Sequence, residues 1–278
     1  MFESTIFHMS DGVRIRADVW NPSAQKTIIL AHGGGQTRYS WSGAARMLSE
    51  NNYRVINYDA RGHGDSDWSP DNTYPMTRRW GDLQEVAASV EGPLAVVGAS
   101  MGGGSALFGL SQGFRPCALI LVDIAPNSDR QGMQRVRDFM ASGLAGFSTL
   151  EDVADAVSAY NPTRPRPKNP EGLKKNLRLG SDDRWYWHWD PGMIELDIDE
   201  EREIMGKTMD ALGGASSVPT LLVRGLQSDV VTDETVREFR RYAPGIQVVN
   251  VGGAGHMVAG DKNDAFNSAI LEFLSAAF

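Results

Sequence analysis

The chain has 278 residues, of which 41% are hydrophobic and 22% charged, the ordinary balance of a water-soluble globular protein. That length suits one large α/β domain, with or without an insertion, and equally two small ones. A formal net charge of -8 makes nucleic acid a poor candidate partner, because an acidic surface repels phosphate backbones.

A single cysteine, Cys117, allows no internal disulfide. It lies beside the apolar run Ala118-Leu119-Ile120-Leu121-Val122 and reads as a small buried hydrophobe. Residues 1–18 mix acids and bases and lack the apolar core of a signal peptide. No apolar run approaches the roughly 18 residues that a membrane helix needs. The expectation is a cytoplasmic protein that does not act at a membrane.

Strand and helix patterns alternate along the chain. Val13 to Trp20 alternates apolar and polar residues, as a strand with one wet face does. Thr27–Ala31, Arg54–Tyr58, Leu94–Val97, Ala118–Val122, Thr220–Val223 and Gln247–Val251 are short runs rich in Val, Ile and Leu. Such runs suit strands covered on both faces of a mainly parallel sheet. Helices are expected over Trp41–Glu50, Arg79–Val90, Met101–Gly113, Asp233–Tyr242 and Asn263–Leu274. This rhythm predicts an α/β fold with a doubly wound sheet. It breaks between Asn127 and Gly214, where a Pro-rich stretch (Pro162 to Pro167) has helical-looking flanks and no clear core strand. The expected division is a core of residues 1–126 and 215–278, with a helical cap over 127–214.

Gly98-Ala99-Ser100-Met101-Gly102 matches G-x-S-x-G, directly after one expected strand and before a helix. That context distinguishes a nucleophile elbow from an ordinary glycine-rich turn. Small flanking residues suit a strained backbone, and the helix start stabilises negative charge near the hydroxyl. A neutral serine is a weak nucleophile and needs a base. Five histidines are present, and only His188 and His256 follow Ser100. His256 sits on a glycine-rich turn just past the last strand and is the expected base; His188 reads as a packing or pocket residue. For the acid that orients the imidazole, Asp229, in the loop after Thr220–Val223, is the first choice. Asp123, at the end of the preceding strand, is its rival, and Asp233 reads as a helix-start residue after Thr232. The oxyanion requires backbone N–H donors. Met101, which follows the nucleophile, and Gly34, in His32-Gly33-Gly34-Gly35-Gln36, are the expected pair. That triple glycine lacks the G-K-[ST] ending of a phosphate loop.

Taken together, these residues resemble the α/β-hydrolase superfamily over nearly the whole chain. The triple-glycine loop, Asp59-Ala60-Arg61-Gly62-His63-Gly64-Asp65-Ser66, the serine elbow, Asp229 and Gly255-His256 occur in the family's order. The Asp59–Ser66 segment looks like the family's D-x-R-G-x-G-x-S turn, which is structural there. Within the superfamily the chain resembles bacterial epoxide-hydrolase-like and non-haem-peroxidase-like proteins. Epoxide hydrolases of this fold use an aspartate nucleophile where this chain has Ser100, so their reaction is not implied.

The expected reaction is hydrolysis of a carboxylic ester, lactone or thioester of a small molecule through an acyl-enzyme. The same triad would serve C–C bond hydrolysis or perhydrolysis, and a small-ligand receptor on a hydrolase scaffold is the reading from another class. No metal or organic cofactor is expected, since no Cys/His cluster or H-E-x-x-H is present. The sequence leaves the oligomeric state open, a homo-oligomer included. It also leaves open whether the aromatic run Trp185 to Trp189 pins the cap to the core or lines a pocket.

Overall fold

Apolar runs covered on both sides need two hydrophobic layers, one on each face of the sheet, and alternation along each strand supplies them. In β3 (Thr27–Ala31), Ile29 and Ala31 enter one buried cluster, while Ile28 and Leu30 enter the other. In β6 (Ala118–Val122), Leu119 and Leu121 go to the first cluster, and Ala118, Ile120 and Val122 to the second. The computed structural model describes residues 1–162, 165–212, 217–256 and 263–278.

The main sheet has eight strands in the order β1-β2-β4-β3-β5-β6-β9-β10. Besides β3 and β6 these are β1 (Phe2–His8), β2 (Arg14–Trp20), β4 (Arg54–Tyr58), β5 (Leu94–Ala99), β9 (Thr220–Gly225) and β10 (Gln247–Val251). From β4 to β10 every neighbouring pair is parallel; β1 and β2 are antiparallel additions at one edge. The chain leaves β3 for β4 and then crosses back to β5 on the other side of β3. The loops that follow β3 and β5 therefore diverge, which opens a crevice at the carboxyl ends of these strands. The loop after β3 carries Gly33 and Gly34, and β5 runs straight into Ser100.

Helices α1 (Ser42–Glu50), α2 (Met76–Ala88), α3 (Ser100–Ser111), α7 (Asp233–Tyr242) and α8 (Asn263–Ala277) cover the sheet within a few residues of the predicted bounds. Thr232 caps α7 by accepting a hydrogen bond from Thr235 N–H, so Asp233 is a first-turn residue as expected. Between β6 and β9 the chain forms α4 (Arg130–Ala141), α5 (Leu150–Tyr160) and α6 (Ile198–Leu212). A small antiparallel hairpin of β7 (Leu177–Leu179) and β8 (Trp185–Trp187) lies among them. Among the described residues no helix is long and apolar enough to cross a membrane.

The aromatic run packs against its own surroundings. Trp187 and Trp189 stack with ring centroids 4.8 Å apart, Phe139 and Phe147 lie against Trp187, and Trp189 Nε1–H donates to the Met140 carbonyl. Cys117 departs from its expected burial. It is exposed, because it precedes β6 at the amino-terminal end of the sheet, where its N–H donates to the Leu94 carbonyl.

Helix α3 lies so close to α2 that Gly109 faces the Trp80 ring, and a Cβ there would come within 2.3 Å of it. Gly81, in α2, has open space where a Cβ would stand. Gly109→Ala is expected to destabilise the fold by about 1–3 kcal/mol through overpacking. Gly81→Ala should stabilise it by up to about 1 kcal/mol through helix propensity. Denaturant midpoints of the two variants should move in opposite directions, and a shared direction would contradict this packing.

Candidate active site

The elbow is built by close contact. Ser100 adopts φ +43, a left-handed conformation that costs a residue with a side chain free energy unless its surroundings enforce it. The surroundings here are backbone. A Cβ on Gly98 would sit 2.6 Å from Gly103 N, and one on Gly102 would sit 2.5 Å from the Ala31 carbonyl oxygen. The motif's glycines are thus what lets α3 start so near β3 and β5. Met101, in the first turn of α3, carries one of the N–H groups that no helical carbonyl can reach.

His256 follows β10 and is nine-tenths buried at its side chain, with Nδ1 2.7 Å from Asp123 Oδ2. Asp123 is fully buried. Its Oδ1 accepts from Gly225 N–H at 3.1 Å, and its Oδ2 also accepts from the Ser228 hydroxyl at 2.5 Å. The expected pairing of Asp229 with His256 is therefore corrected: the carboxylate against the imidazole belongs to Asp123. Asp229 lies one residue beyond Ser228, and its side chain is 41% exposed. It accepts from Arg135 Nε of α4 at 2.5 Å. A carboxylate in that position is turned to solvent and already neutralised by a guanidinium. Asp123 can face the imidazole because it ends β6, between β5 and β9, and takes a left-handed φ of +49, which aspartate tolerates better than most residues.

Two further histidines, His32 and His63, brace the loop after β3, and a third, His188, braces the turn beside it, roles that sequence reasoning missed. His32 Nε2 accepts from Ala60 N–H at 2.9 Å, so Nδ1 carries the proton and donates to the Gly33 carbonyl at 2.8 Å. His63 Nε2 accepts from Gly35 N–H at 3.1 Å, and Nδ1–H donates to the Arg61 carbonyl. His188 Nδ1 accepts from Gly64 N–H at 2.8 Å, which ties the 127–214 segment to the Asp59–Ser66 turn. Gly34 thus lies between two residues whose backbone polar groups are pinned by imidazoles. Of the three glycines, Gly35 has the positive φ, +71, and a Cβ on Gly33 would press on Ser100 Cβ at 3.2 Å. A Cβ on Gly34 would meet only Met140 Sδ at 3.5 Å. The Asp59–Ser66 turn has the structural part expected of it. Asp59 accepts from the backbone N–H groups of Arg38 and Asp65 and pairs with the Arg38 guanidinium, while Arg61 forms a bidentate pair with Asp82.

Gly34, Ser100 and Met101 line one cavity with α2, α4 and α6. Six methionines (Met76, Met101, Met133, Met140, Met193 and Met205) give it soft, adaptable walls. None of Trp185 to Trp189 lines it. The rings pack beside this cavity, and their expected alternative as its wall does not hold for this space.

Residues 28–269 match the family model described as the alpha/beta hydrolase family. The chain belongs to that family. This α/β hydrolase is 30% identical over 251 residues to esterase Rv0045c of Mycobacterium tuberculosis, a match covering 87% of this chain and 80% of the relative. It is 26% identical over 287 residues to the non-heme chloroperoxidase CPO-A1 of Kitasatospora aureofaciens, covering 95% and 97%. Among solved structures, an alpha/beta hydrolase from Novosphingobium aromaticivorans shares the fold with a TM-score of 0.81 at 24% identity, over 99% of this chain and 98% of the other.

Burial holds all three bracing histidines below the usual imidazole range, His188 down to about 3. Each accepts a backbone N–H with the nitrogen that a second proton would occupy. Unfolded, each would take up that proton below about pH 6.5. Their contribution to stability is therefore fully present above about pH 6.5 and declines as pH falls below it, for His188 down to about 3. The slope is up to about 1.4 kcal/mol per pH unit for each group. Urea midpoints measured from pH 7 to pH 4 should fall less steeply in His188→Gln than in the wild type. An identical slope in the two proteins would show that His188 is not held neutral by the fold.

Proposed function

We propose that this α/β hydrolase cleaves a carboxylic ester, lactone or thioester of a small molecule through an acyl-enzyme on Ser100. The observation that carries the reading is the hydrogen bond from His256 Nδ1 to the buried Asp123 carboxylate, at the same ends of the strands as the Ser100 elbow. With Nδ1 engaged, Nε2 is the ring nitrogen left for proton transfer. The esterase relative supports ester hydrolysis at the general level.

In this reading His256 Nε2 takes the Ser100 proton as the hydroxyl attacks the ester carbonyl. Asp123 fixes the tautomer and stabilises the imidazolium that results. The Met101 and Gly34 N–H groups hold the developing oxyanion, in positions set before substrate arrives, so no reorganisation is needed in the transition state. The imidazolium then protonates the leaving alcohol or thiol. Water, deprotonated by the same nitrogen, releases the acid and restores Ser100. The 127–214 segment acts as the cap, supplying from α4 and α6 much of the wall around the acyl group.

Two measurements test the assignment. Ser100→Ala should fold normally, lose at least about 10³ in ester turnover and escape labelling by a fluorophosphonate that modifies the wild type. Retained turnover would exclude Ser100 as the nucleophile. Asp123→Asn should lower kcat by about 10⁴, because the amide can favour the wrong imidazole tautomer, while Asp229→Asn costs a few-fold at most. The opposite ranking would return the acid to Asp229.

A further inference from the structure

The cavity above Ser100 is apolar near the elbow and charged farther along. Gly104 lies one turn after Ser100 in α3, and a Cβ on it would meet Met205 Cε at 3.6 Å and Met76 Cε at 3.7 Å. One turn beyond Met76 in α2 is Arg79, and one turn before Met205 in α6 is Glu201. Both line the cavity and pair with each other. The Arg79 side chain is 6% exposed, and its Nε–H meets no acceptor among the described residues.

An enclosed guanidinium is normally satisfied at every face, since an unpaired buried donor costs about 1–3 kcal/mol. Arg79 is not. The remaining charges on the cavity wall are Arg137 and Arg202, both half-buried. The cavity wall thus carries one carboxylate, Glu201, and three guanidiniums, of which Arg202 also donates to the Ser128 carbonyl, in a protein whose overall formal charge is -8. A purely aliphatic acyl chain would leave this end of the cavity without a partner. A carboxylate matches it in charge, and guanidinium is the side chain best shaped to hold one.

We infer that this cavity is an acyl site for half-esters of dicarboxylic acids, with the distal carboxylate recognised at the Arg79–Glu201 end by Arg79, Arg137 and Arg202. The inference rests on the reading that Ser100 forms the acyl-enzyme. The apolar methionine stretch accommodates the methylene chain, and its length sets how far the second carboxylate lies from the scissile ester. Arg79 is held in place by Glu201, so that its guanidinium is already oriented when the anion arrives, and the excess of arginine favours anionic over neutral acyl groups.

Monomethyl esters of succinate, glutarate, adipate, pimelate and suberate, each beside the methyl alkanoate of equal chain length, test the subsite by kcat/KM. The wild type should prefer the half-ester at one or two lengths by tenfold or more. That preference should fall at least tenfold in Arg79→Met/Glu201→Met, which removes the pair together and strands no buried charge. It should fall several-fold in Arg137→Gln and Arg202→Gln, which lie at half-buried positions and keep the test open if the double variant does not fold. A second readout needs no turnover: in Ser100→Ala, calorimetry should detect the free dicarboxylate of the preferred length, and the arginine substitutions should weaken it. Neutral esters preferred at every length, or a charge preference that none of the substitutions moves, would overturn the subsite. If no ester is turned over yet Ser100→Ala binds dicarboxylate through these arginines, the ester-hydrolase reading fails and the subsite stands. Absence of both turnover and binding removes both.

Discussion

A fully buried carboxylate is tolerable only if its oxygens are occupied, and Asp123 is occupied by a backbone N–H, a hydroxyl and an imidazole. That convergence ties three strand ends together: Asp123 follows β6, Gly225 ends β9 with Ser228 in the loop beyond it, and His256 follows β10. The parallel order makes this possible, because it brings the carboxyl ends of these strands to one side of the sheet. The left-handed conformation of Asp123 is a local consequence of the same requirement, because the chain must turn there to direct the carboxylate toward the ends of β9 and β10.

Around this centre, three other imidazoles hold backbone in place. His32 and His63 fix the residues on either side of Gly34, and His188 carries the bracing outward into the 127–214 segment. Neutral imidazoles suit this task, since each offers one donor and one acceptor in a rigid plane. Burial keeps them neutral, which in turn preserves the acceptor that each backbone N–H needs. The loop after β3 is therefore closely braced, whereas the cavity beside it is lined by flexible methionines.

Much of the fold was legible in the sequence because central parallel strands announce themselves as unbroken apolar runs. Thr27–Ala31, Arg54–Tyr58, Ala118–Val122 and Gln247–Val251 fall where they were expected. β1 escaped because it is an edge strand with a mostly exposed face, so its pattern carries little signal. The β7–β8 hairpin escaped because three-residue strands are shorter than any periodicity can register. The strand-to-helix turn that carries Ser100 was legible, and so was the glycine-rich turn after the last strand that carries His256. The acid was not. Asp123 and Asp229 both follow strands, and only the direction of each side chain separates them: one turns inward to His256, the other outward to Arg135. Ser228 held a usable hint, since a hydroxyl just before Asp229 could serve a neighbouring carboxylate. The bracing histidines were invisible for a related reason, because their partners are backbone groups that leave no trace in residue type.

The pairing of Asp123 with His256 is the point on which the account turns, and proton NMR reads it directly. The His256 Nδ1 proton should appear as a strongly deshielded, slowly exchanging resonance. It should disappear or move far upfield in Asp123→Asn and persist unchanged in Asp229→Asn. A resonance that survives the first substitution and is lost in the second would contradict the account.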